Sequence, residues 1–183
     1  MKPSRLGAIG FALAGVAASL SSTGCGGDSA TPGPTGDVFI AFAPDFADFK
    51  TWTAFDLGDD QTDGLPAVGH RTAYLNKLPP TGSSAFPVGT VIVKTIGEET
   101  TTPGQTFAMA KRGGGYNALG TIGWEWFELK PDTTGKPAIA WRGIAPPSGE
   151  TYAGVMGGSC NDCHAKATDN DYVPSVELSL SLF

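Results

Sequence analysis

Residues 90–96, with the sequence TVIVKTI, decide the fold class of this chain. The run is short and rich in β-branched residues, which is typical of a β-strand. Four further runs mix β-branched or aromatic residues with alternating polarity, and they predict strands at 71–76, 106–111, 124–129 and 138–142. The segments between these runs, such as LPPTGSS, GGGYNALG and KPDTTGK, have the composition of turns. Together these features predict a small antiparallel β-sheet.

An aromatic stripe lies upstream of the first of these strands. Its members recur at every third residue, which predicts one face of a short helix and core packing rather than cofactor contact. Asp45 is placed to cap that helix. The polar, Gly-rich stretch at 56–69 predicts a loop. The stripe consists of Phe46, Phe49, Trp52 and Phe55.

The composition excludes several classes of protein. The chain has 183 residues, which is enough for one domain, and its 26 glycines and 14 prolines favour turns over long helices. A coiled coil, a helical bundle and a highly charged disordered chain are therefore excluded. The formal net charge of −6 opposes binding to nucleic acid, which requires a basic surface. We predict a mainly β (α+β) domain with a few short helices and no nucleic-acid partner.

The N-terminus has the pattern of a secretory signal peptide over residues 1–24. Lys2 and Arg5 precede an apolar stretch, and small residues follow it. The ending TGC resembles a bacterial lipobox, in which Cys25 would be lipidated, although Ser22 stands where leucine is usual. Ordinary cleavage nearby would instead leave Cys25 as a plain thiol. Either route predicts a periplasmic or cell-surface protein, and the first route predicts a lipid anchor to a bacterial membrane.

A flexible linker is predicted after the signal peptide. Residues 25–36 have no apolar periodicity and are rich in glycine, proline and small polar residues. The folded domain is therefore expected to occupy residues 37–183.

The motif that carries chemistry is CNDCH at residues 160–164, which has the C-x-x-C-H form of a c-type haem attachment site. Cys160 and Cys163 would form thioethers with the two haem vinyl groups, and His164 would be the proximal iron ligand. One helical turn would place both sulfurs along one edge of the ring. We therefore predict a C-terminal attachment helix with one covalent haem c.

Three alternatives to haem compete for this motif. A zinc site would need further ligands, and His70 is the only other histidine in the sequence. A thioredoxin-like redox pair would require a βαβ unit, which the pattern does not indicate. A disulfide between Cys160 and Cys163 would be strained.

The sixth iron ligand decides what such a haem does. Electron-transfer cytochromes add a methionine or a histidine at that position. Met156 is too close to Cys160 in sequence to reach the opposite face, and Met109 lies in a predicted strand. His70, at a loop-to-strand junction, is either a ligand or a surface residue. These positions favour an open sixth site.

Five stretches between about Phe46 and Val173 give the chain a resemblance to the cytochrome P-460 family. That family contains haem enzymes that oxidise hydroxylamine and the cytochromes c prime beta that bind nitric oxide. The resemblance implies an antiparallel β fold that is often dimeric. The stretches are RTAYLN at 71–76, FPVGTVIVK at 86–94, FAMAKRGGGYN at 107–117, GWEWFE at 123–128, and CNDCHAKA at 160–167 with DYV after it.

The resemblance also implies roles for single residues. Lys94 matches a lysine that is cross-linked to the porphyrin in the hydroxylamine-oxidising members, and its alternative is a strand lysine with a solvated tip. Phe86 matches an aromatic residue that would line the distal face, and its alternative is core packing. The enzymes use a carboxylate as a proton acceptor, and Glu150 is the nearest acid before the haem motif. Glu150 does not fall clearly on the family position, and an exposed loop residue is its alternative.

Three functions follow from these expectations. The first is an oxidoreductase that acts on hydroxylamine and passes electrons to a redox partner protein. The second is a protein that binds nitric oxide without turnover, in a pocket kept apolar by Phe86. The third is a simple electron carrier with His70 or a methionine as sixth ligand.

Overall fold

The computed structural model describes residues 36–59, 69–97, 104–150 and 159–183. The chain divides into two units, Met1–Gly33 and Pro34–Phe183. The first unit lies outside the described residues, and so do the predicted signal peptide, Cys25 and nearly all of the predicted linker. The fold described below is that of the second unit.

Six strands form one sheet in the order β1-β2-β3-β4-β5-β6, and every neighbouring pair is antiparallel. The mainly β fold predicted from the sequence is therefore confirmed, and each of the five predicted strands is present. The strands are β1 Thr53–Gly58, β2 Arg71–Leu75, β3 Val91–Ile96, β4 Gln105–Lys111, β5 Trp124–Pro131 and β6 Pro137–Gly143.

The helix predicted from the aromatic stripe is wrong. Two 3-10 helices, Ala43–Phe46 and Phe49–Thr51, occupy its first half, and β1 occupies the rest. A spacing of three residues matches the 3.0 residues per turn of a 3-10 helix better than the 3.6 of an α-helix. Asp45 is not the N-cap, because it lies inside the first 3-10 helix and accepts a 2.7 Å hydrogen bond from the Phe42 N–H.

The pattern of residues does not predict strand β1, because its first half falls in the aromatic stripe and its second half resembles a loop. Asp56 and Gly58 flank a β-bulge where the register with β2 shifts, and the Asp56 carboxylate accepts a hydrogen bond from the Gly58 N–H. Bulges employ the glycine and aspartate that turns also use. The expected core role of the stripe holds for Phe46 and Phe49, which are buried, and for Trp52, which packs against the same core, whereas Phe55 packs against a second core.

Alternate residues of the strands point to opposite faces of the sheet, and each face has its own core. The N-terminal face packs against the segment that precedes β1. The helix face packs against the C-terminal segment. The N-terminal core contains Ala41, Phe46, Phe49, Val91, Val93, Ala108, Ala110, Phe127 and Leu129. The helix-face core contains Ala73, Leu75, Phe86, Ile92, Met109, Trp124, Trp126, Val173, Leu178 and Leu180.

The C-terminal segment consists of short helices joined by turns. Helix α1 spans Cys160–His164, and 3-10 helices follow at Thr168–Asn170, Val176–Leu178 and Leu180–Leu182. Within the described residues, no helix has the length and apolar character needed to cross a membrane.

Candidate haem-attachment site

Helix α1 begins at the first cysteine of the C-x-x-C-H motif because the residues around it form a cap. Ser159 is the N-cap, and its backbone N–H donates a 2.6 Å hydrogen bond to the Asp162 carboxylate. The Ser159 hydroxyl also contacts that carboxylate at 3.1 Å. An acid in the first turn satisfies free N–H groups and suits the helix dipole. Asp162, which occupies a variable position of the motif, therefore stabilises the N-terminus of the helix.

Asn161, the other variable residue of the motif, fixes α1 to the sheet. Its amide forms a reciprocal pair with that of Asn117, at 2.7 and 2.9 Å. Its Oδ1 atom also accepts hydrogen bonds from the Thr121 hydroxyl and the Trp126 indole, both at 2.9 Å. The sequence does not predict this network, because its members are 35 to 44 residues apart and the GGGYNALG loop indicates only a turn.

His164 is held in a defined orientation. Its Nδ1 atom lies 2.7 Å from the Tyr172 carbonyl, to which the Nδ1–H donates, and its ring packs against Trp126 with 4.5 Å between centroids. Burial lowers the pKa of His164 to about 4, and Lys94 adds to the lowering while the Tyr172 carbonyl opposes it. The ring is therefore neutral at pH 7, which leaves Nε2 as the nitrogen with a free lone pair.

The two cysteines are free thiols in different surroundings. Cys160 packs against the helix-face core, whereas Cys163 is exposed. Burial raises the pKa of the Cys160 thiol to about 11, against smaller lowering effects of its own backbone N–H and of Lys94. Cys160 therefore stays protonated at pH 7, as a neutral sulfur beside a neutral imidazole.

Lys94 lies on the same face of the sheet as α1. Its charge lowers the pKa of both Cys160 and His164, which brings three of the predicted site residues together. Phe86 is buried in the helix-face core that Cys160 also contacts, 5.9 Å from the Trp124 ring between centroids. The packing alternative for Phe86 therefore holds, and its role on a distal face stays a prediction.

Lys94 belongs to a row of residues that crosses all six strands on the helix face. Glu128 stands in this row two strands away from Lys94, with Phe107 between them. Glu128 is 4% exposed, and its carboxylate lies 3.1 Å from the Nζ of Lys130. The row consists of Phe55, Ala73, Lys94, Phe107, Glu128 and Trp141.

Glu128 is not among the residues predicted from the sequence, although a signal is present. The apolar strand sequence WEWFEL contains two acids, Glu125 and Glu128, which is unusual because carboxylates are rarely buried without a role or a partner. What the sequence lacks is the register that aligns Glu128 with Lys94.

Of the remaining predicted residues, Met109 belongs to the helix-face core, and the others lie apart from this group or outside the described residues. Glu150 is in a turn, where its N–H contacts the Pro147 carbonyl, and residues 151–158, which connect it to α1 and include Met156, are not described. Met109 is a buried core residue. The two imidazole nitrogens of His70 face Asp56 and Asp59 at 2.9 and 3.1 Å. His70 is therefore a surface residue engaged with carboxylates.

Two of the alternatives to haem, a thioredoxin-like pair and a zinc site, can be compared with the described residues. The antiparallel order of the six described strands contains no βαβ unit, which a thioredoxin-like pair would need. Zinc binds thiolates, and burial disfavours that form of Cys160. Among the described residues, no three His, Cys, Asp or Glu side chains are grouped to hold a metal ion.

Comparison with known proteins adds no relative. No family model matches the chain, and no curated protein and no solved structure matches it either. Any assignment of function therefore depends on the residues described above.

Proposed function

We propose that this chain is an exported mono-haem c-type cytochrome of the cytochrome P-460 type. One observation carries the proposal. In α1, a neutral His164 lies beside two free thiols, its Nδ1–H is hydrogen-bonded to a backbone carbonyl, and the lone pair of its Nε2 can therefore ligate a metal. Histidines that ligate a metal generally donate the N–H of their second ring nitrogen to such an acceptor. Lys94 in β3 adds support, because it lies on the helix face of the sheet and the family resemblance implies a lysine in this strand.

The residues present fit a covalently held haem. Each thiol S–H, of Cys160 and of Cys163, would add across a vinyl C=C bond, forming one S–C and one C–H bond without loss of electrons. His164 would ligate the iron through Nε2. When bound, such a group with an open sixth position binds small nitrogen ligands and exchanges electrons with them.

Hydroxylamine oxidation is the activity that we favour. The substrate must release protons as it is oxidised, and Glu128 is a buried carboxylate on the same sheet face as Lys94. Glu128 would accept a proton on a carboxylate oxygen, a role for which the sequence offers Glu150 only as the nearest acid before the haem motif. Electrons would leave to a redox partner protein.

A nitric-oxide-binding protein is the second candidate. Phe107 stands between Lys94 and Glu128, and Trp141 ends the row, so aromatic side chains flank the two charged ones. Such surroundings suit a small uncharged ligand that is bound and not converted. The electron-carrier alternative has less support through His70, because both His70 nitrogens already face carboxylates.

The ferrous absorption spectrum tests the proposal. We expect the chain, expressed with haem-maturation machinery, to retain haem after denaturation and to show a five-coordinate, high-spin spectrum. His164→Ala should lose that spectrum, whereas His70→Ala should retain it. A chain without covalent haem contradicts the proposal, and a six-coordinate low-spin spectrum would favour the electron carrier. A strongly red-shifted Soret band that Lys94→Ala abolishes would favour the cross-linked enzyme.

A comparison of two acids separates turnover from binding. If Glu128 is the proton acceptor, Glu128→Gln should lower the rate of hydroxylamine oxidation by about 10²- to 10⁴-fold. Glu150→Gln measured beside it decides between the two carboxylates, since the larger loss identifies the acceptor. Wild-type protein that binds nitric oxide but does not oxidise hydroxylamine would favour the binding function.

Export and anchoring form a separate part of the proposal. Cleavage before Cys25 and lipidation of its thiol would hold the domain at a bacterial membrane through residues 25–36. Mass spectrometry of the mature N-terminus should find a diacylglyceryl cysteine in the membrane fraction, and Cys25→Ser should move the protein to the soluble fraction. Sedimentation of the soluble domain tests the homodimer that the resemblance implies.

A further inference from the structure

The turn after α1 has an unusual backbone. Asp171 and Tyr172 both have positive φ angles, 50° and 68°. L-residues other than glycine rarely adopt this left-handed conformation, and aspartate tolerates it better than tyrosine does. Two such residues in succession need contacts elsewhere to hold them.

Asp171 makes those contacts with three separate parts of the fold. Its Oδ1 lies 2.6 Å from the Lys111 Nζ, and its Oδ2 accepts a 2.9 Å hydrogen bond from the Phe86 N–H. Its backbone carbonyl accepts a 2.8 Å hydrogen bond from the Trp124 indole. The Asp171 and Lys111 side chains are only 8% and 11% exposed, so this ion pair is shielded from water.

Lys111 is itself fixed in place. Its Nζ also donates to the Ile122 carbonyl at 3.2 Å and lies 5.0 Å from the centroid of the Trp124 ring. The pair therefore connects strand β4 with the turn that carries Tyr172. The Tyr172 carbonyl is the group that accepts the Nδ1–H of His164 at 2.7 Å.

We propose that the Asp171–Lys111 pair is a positioning clamp that holds the Tyr172 carbonyl against His164 and so sets the donor strength of His164 toward the iron. The inference rests on the proposed haem function. A histidine whose Nδ1–H is strongly hydrogen-bonded is the more basic ligand at Nε2. A firm clamp therefore strengthens the iron–histidine bond and favours the ferric state.

The two members of the clamp carry opposite charges, which gives a sharp test on the holoprotein. Asp171→Asn keeps the size, an acceptor for Phe86 and tolerance of a positive φ angle. Lys111→Met removes the cation. If the clamp acts, both variants lower the iron–histidine stretching frequency in the ferrous resonance Raman spectrum. Both should also raise the equilibrium constant for haem reduction at least threefold, about 28 mV for one electron.

Charge alone would act differently, because loss of the anion raises the reduction potential and loss of the cation lowers it. Opposite potential shifts with an unchanged stretching frequency would overturn the clamp. Glu125→Gln is the matched control, since it removes a buried carboxylate that pairs with arginines on the other face of the sheet. It should lower the melting temperature and leave the stretching frequency unchanged.

The remaining outcomes also decide the question. Wild-type protein with covalent haem whose clamp variants match it overturns the inference and leaves the proposed function intact. Wild-type protein without covalent haem overturns both. If Asp171→Asn yields no folded holoprotein, Lys111→Met and Lys111→Gln decide by the same two readouts.

Discussion

The two faces of the sheet are built from the same strands but differ in what they carry. The N-terminal face is covered by the segment before β1, and its core is aliphatic and aromatic. The helix face carries the two cysteines, His164, Lys94 and Glu128. Because side chains alternate along each strand, Val93 enters the closed core while its neighbour Lys94 faces the candidate site. The closed core on one face therefore lies directly behind the candidate site on the other.

Each face also has a shielded carboxylate pair, and the two pairs fix different parts of the chain. Glu125, 2% exposed, accepts hydrogen bonds from the Arg142 Nε and Nη2 atoms, both at 2.7 Å. Arg142 then donates to the Ala41 carbonyl and so fixes the covering segment. Asp171 fixes the turn beneath His164. We therefore expect substitutions in the Glu125–Arg142 pair to lower the free energy of unfolding and to leave the candidate site unchanged.

The largest effect should follow from Arg142→Met. The variant leaves Glu125 buried with only the 3.2 Å contact to Arg112, and a buried charge that loses its main partner costs about 3 kcal/mol. Chemical denaturation measures this loss in the free energy of unfolding. The ferrous haem spectrum should not change. Arg142→Lys keeps the charge without the bidentate geometry, so we expect an intermediate loss.

A loss below about 1 kcal/mol in Arg142→Met would contradict the role given to the pair. A change in the haem spectrum would show that the two faces are not independent.

Gly120→Ala should cause a smaller loss of stability, and this loss should arise on the helix face. A Cβ atom at Gly120 would overlap the Asn161 amide and lie 2.7 Å from the Asn117 Oδ1. The network that fixes α1 would have to shift, at a cost of about 2 kcal/mol, as for other overpacked sites. Haem incorporation should fall with it, measured as haem per protein after purification.

Gly36→Ala is the matched control, because a Cβ atom there meets no atom within 4 Å. Equal behaviour of the two variants would show that Asn161 does not fix the helix.

The sequence predicts the features that depend on neighbours along the chain. Alternating polarity locates five strands, and the C-x-x-C-H spacing points to the candidate site. The sequence does not predict contacts that depend on register. Asn117 meets Asn161 across 44 residues, and Lys111 meets Asp171 across 60. Resemblance alone points to Lys94, whereas its alignment with Glu128 results from two strand pairings that no local pattern specifies.

The smallest expected effect is a change in the free energy of unfolding with pH. It distinguishes the two faces of the sheet, because it arises from His164 on the helix face alone. The folded-state pKa of His164 is lowered to about 4, chiefly by burial, from its ordinary value of 6.5. Below pH 6.5 the unfolded chain therefore binds a proton that the folded chain does not, so stability falls as pH falls. For the haem-free chain we expect a loss of about 1 kcal/mol between about pH 6.5 and 5.5.

Denaturation of the haem-free chain at these two pH values measures the loss. His164→Gln cannot take up this proton, so its stability should vary less over the same interval, while Arg142→Met should keep the wild-type slope from a lower starting value. The interval lies above the range in which ordinary carboxylates titrate, so the difference between wild type and His164→Gln isolates one ring. An identical slope in the two proteins would mean that folding does not lower the pKa of His164, despite its contacts with Trp126 and the Tyr172 carbonyl.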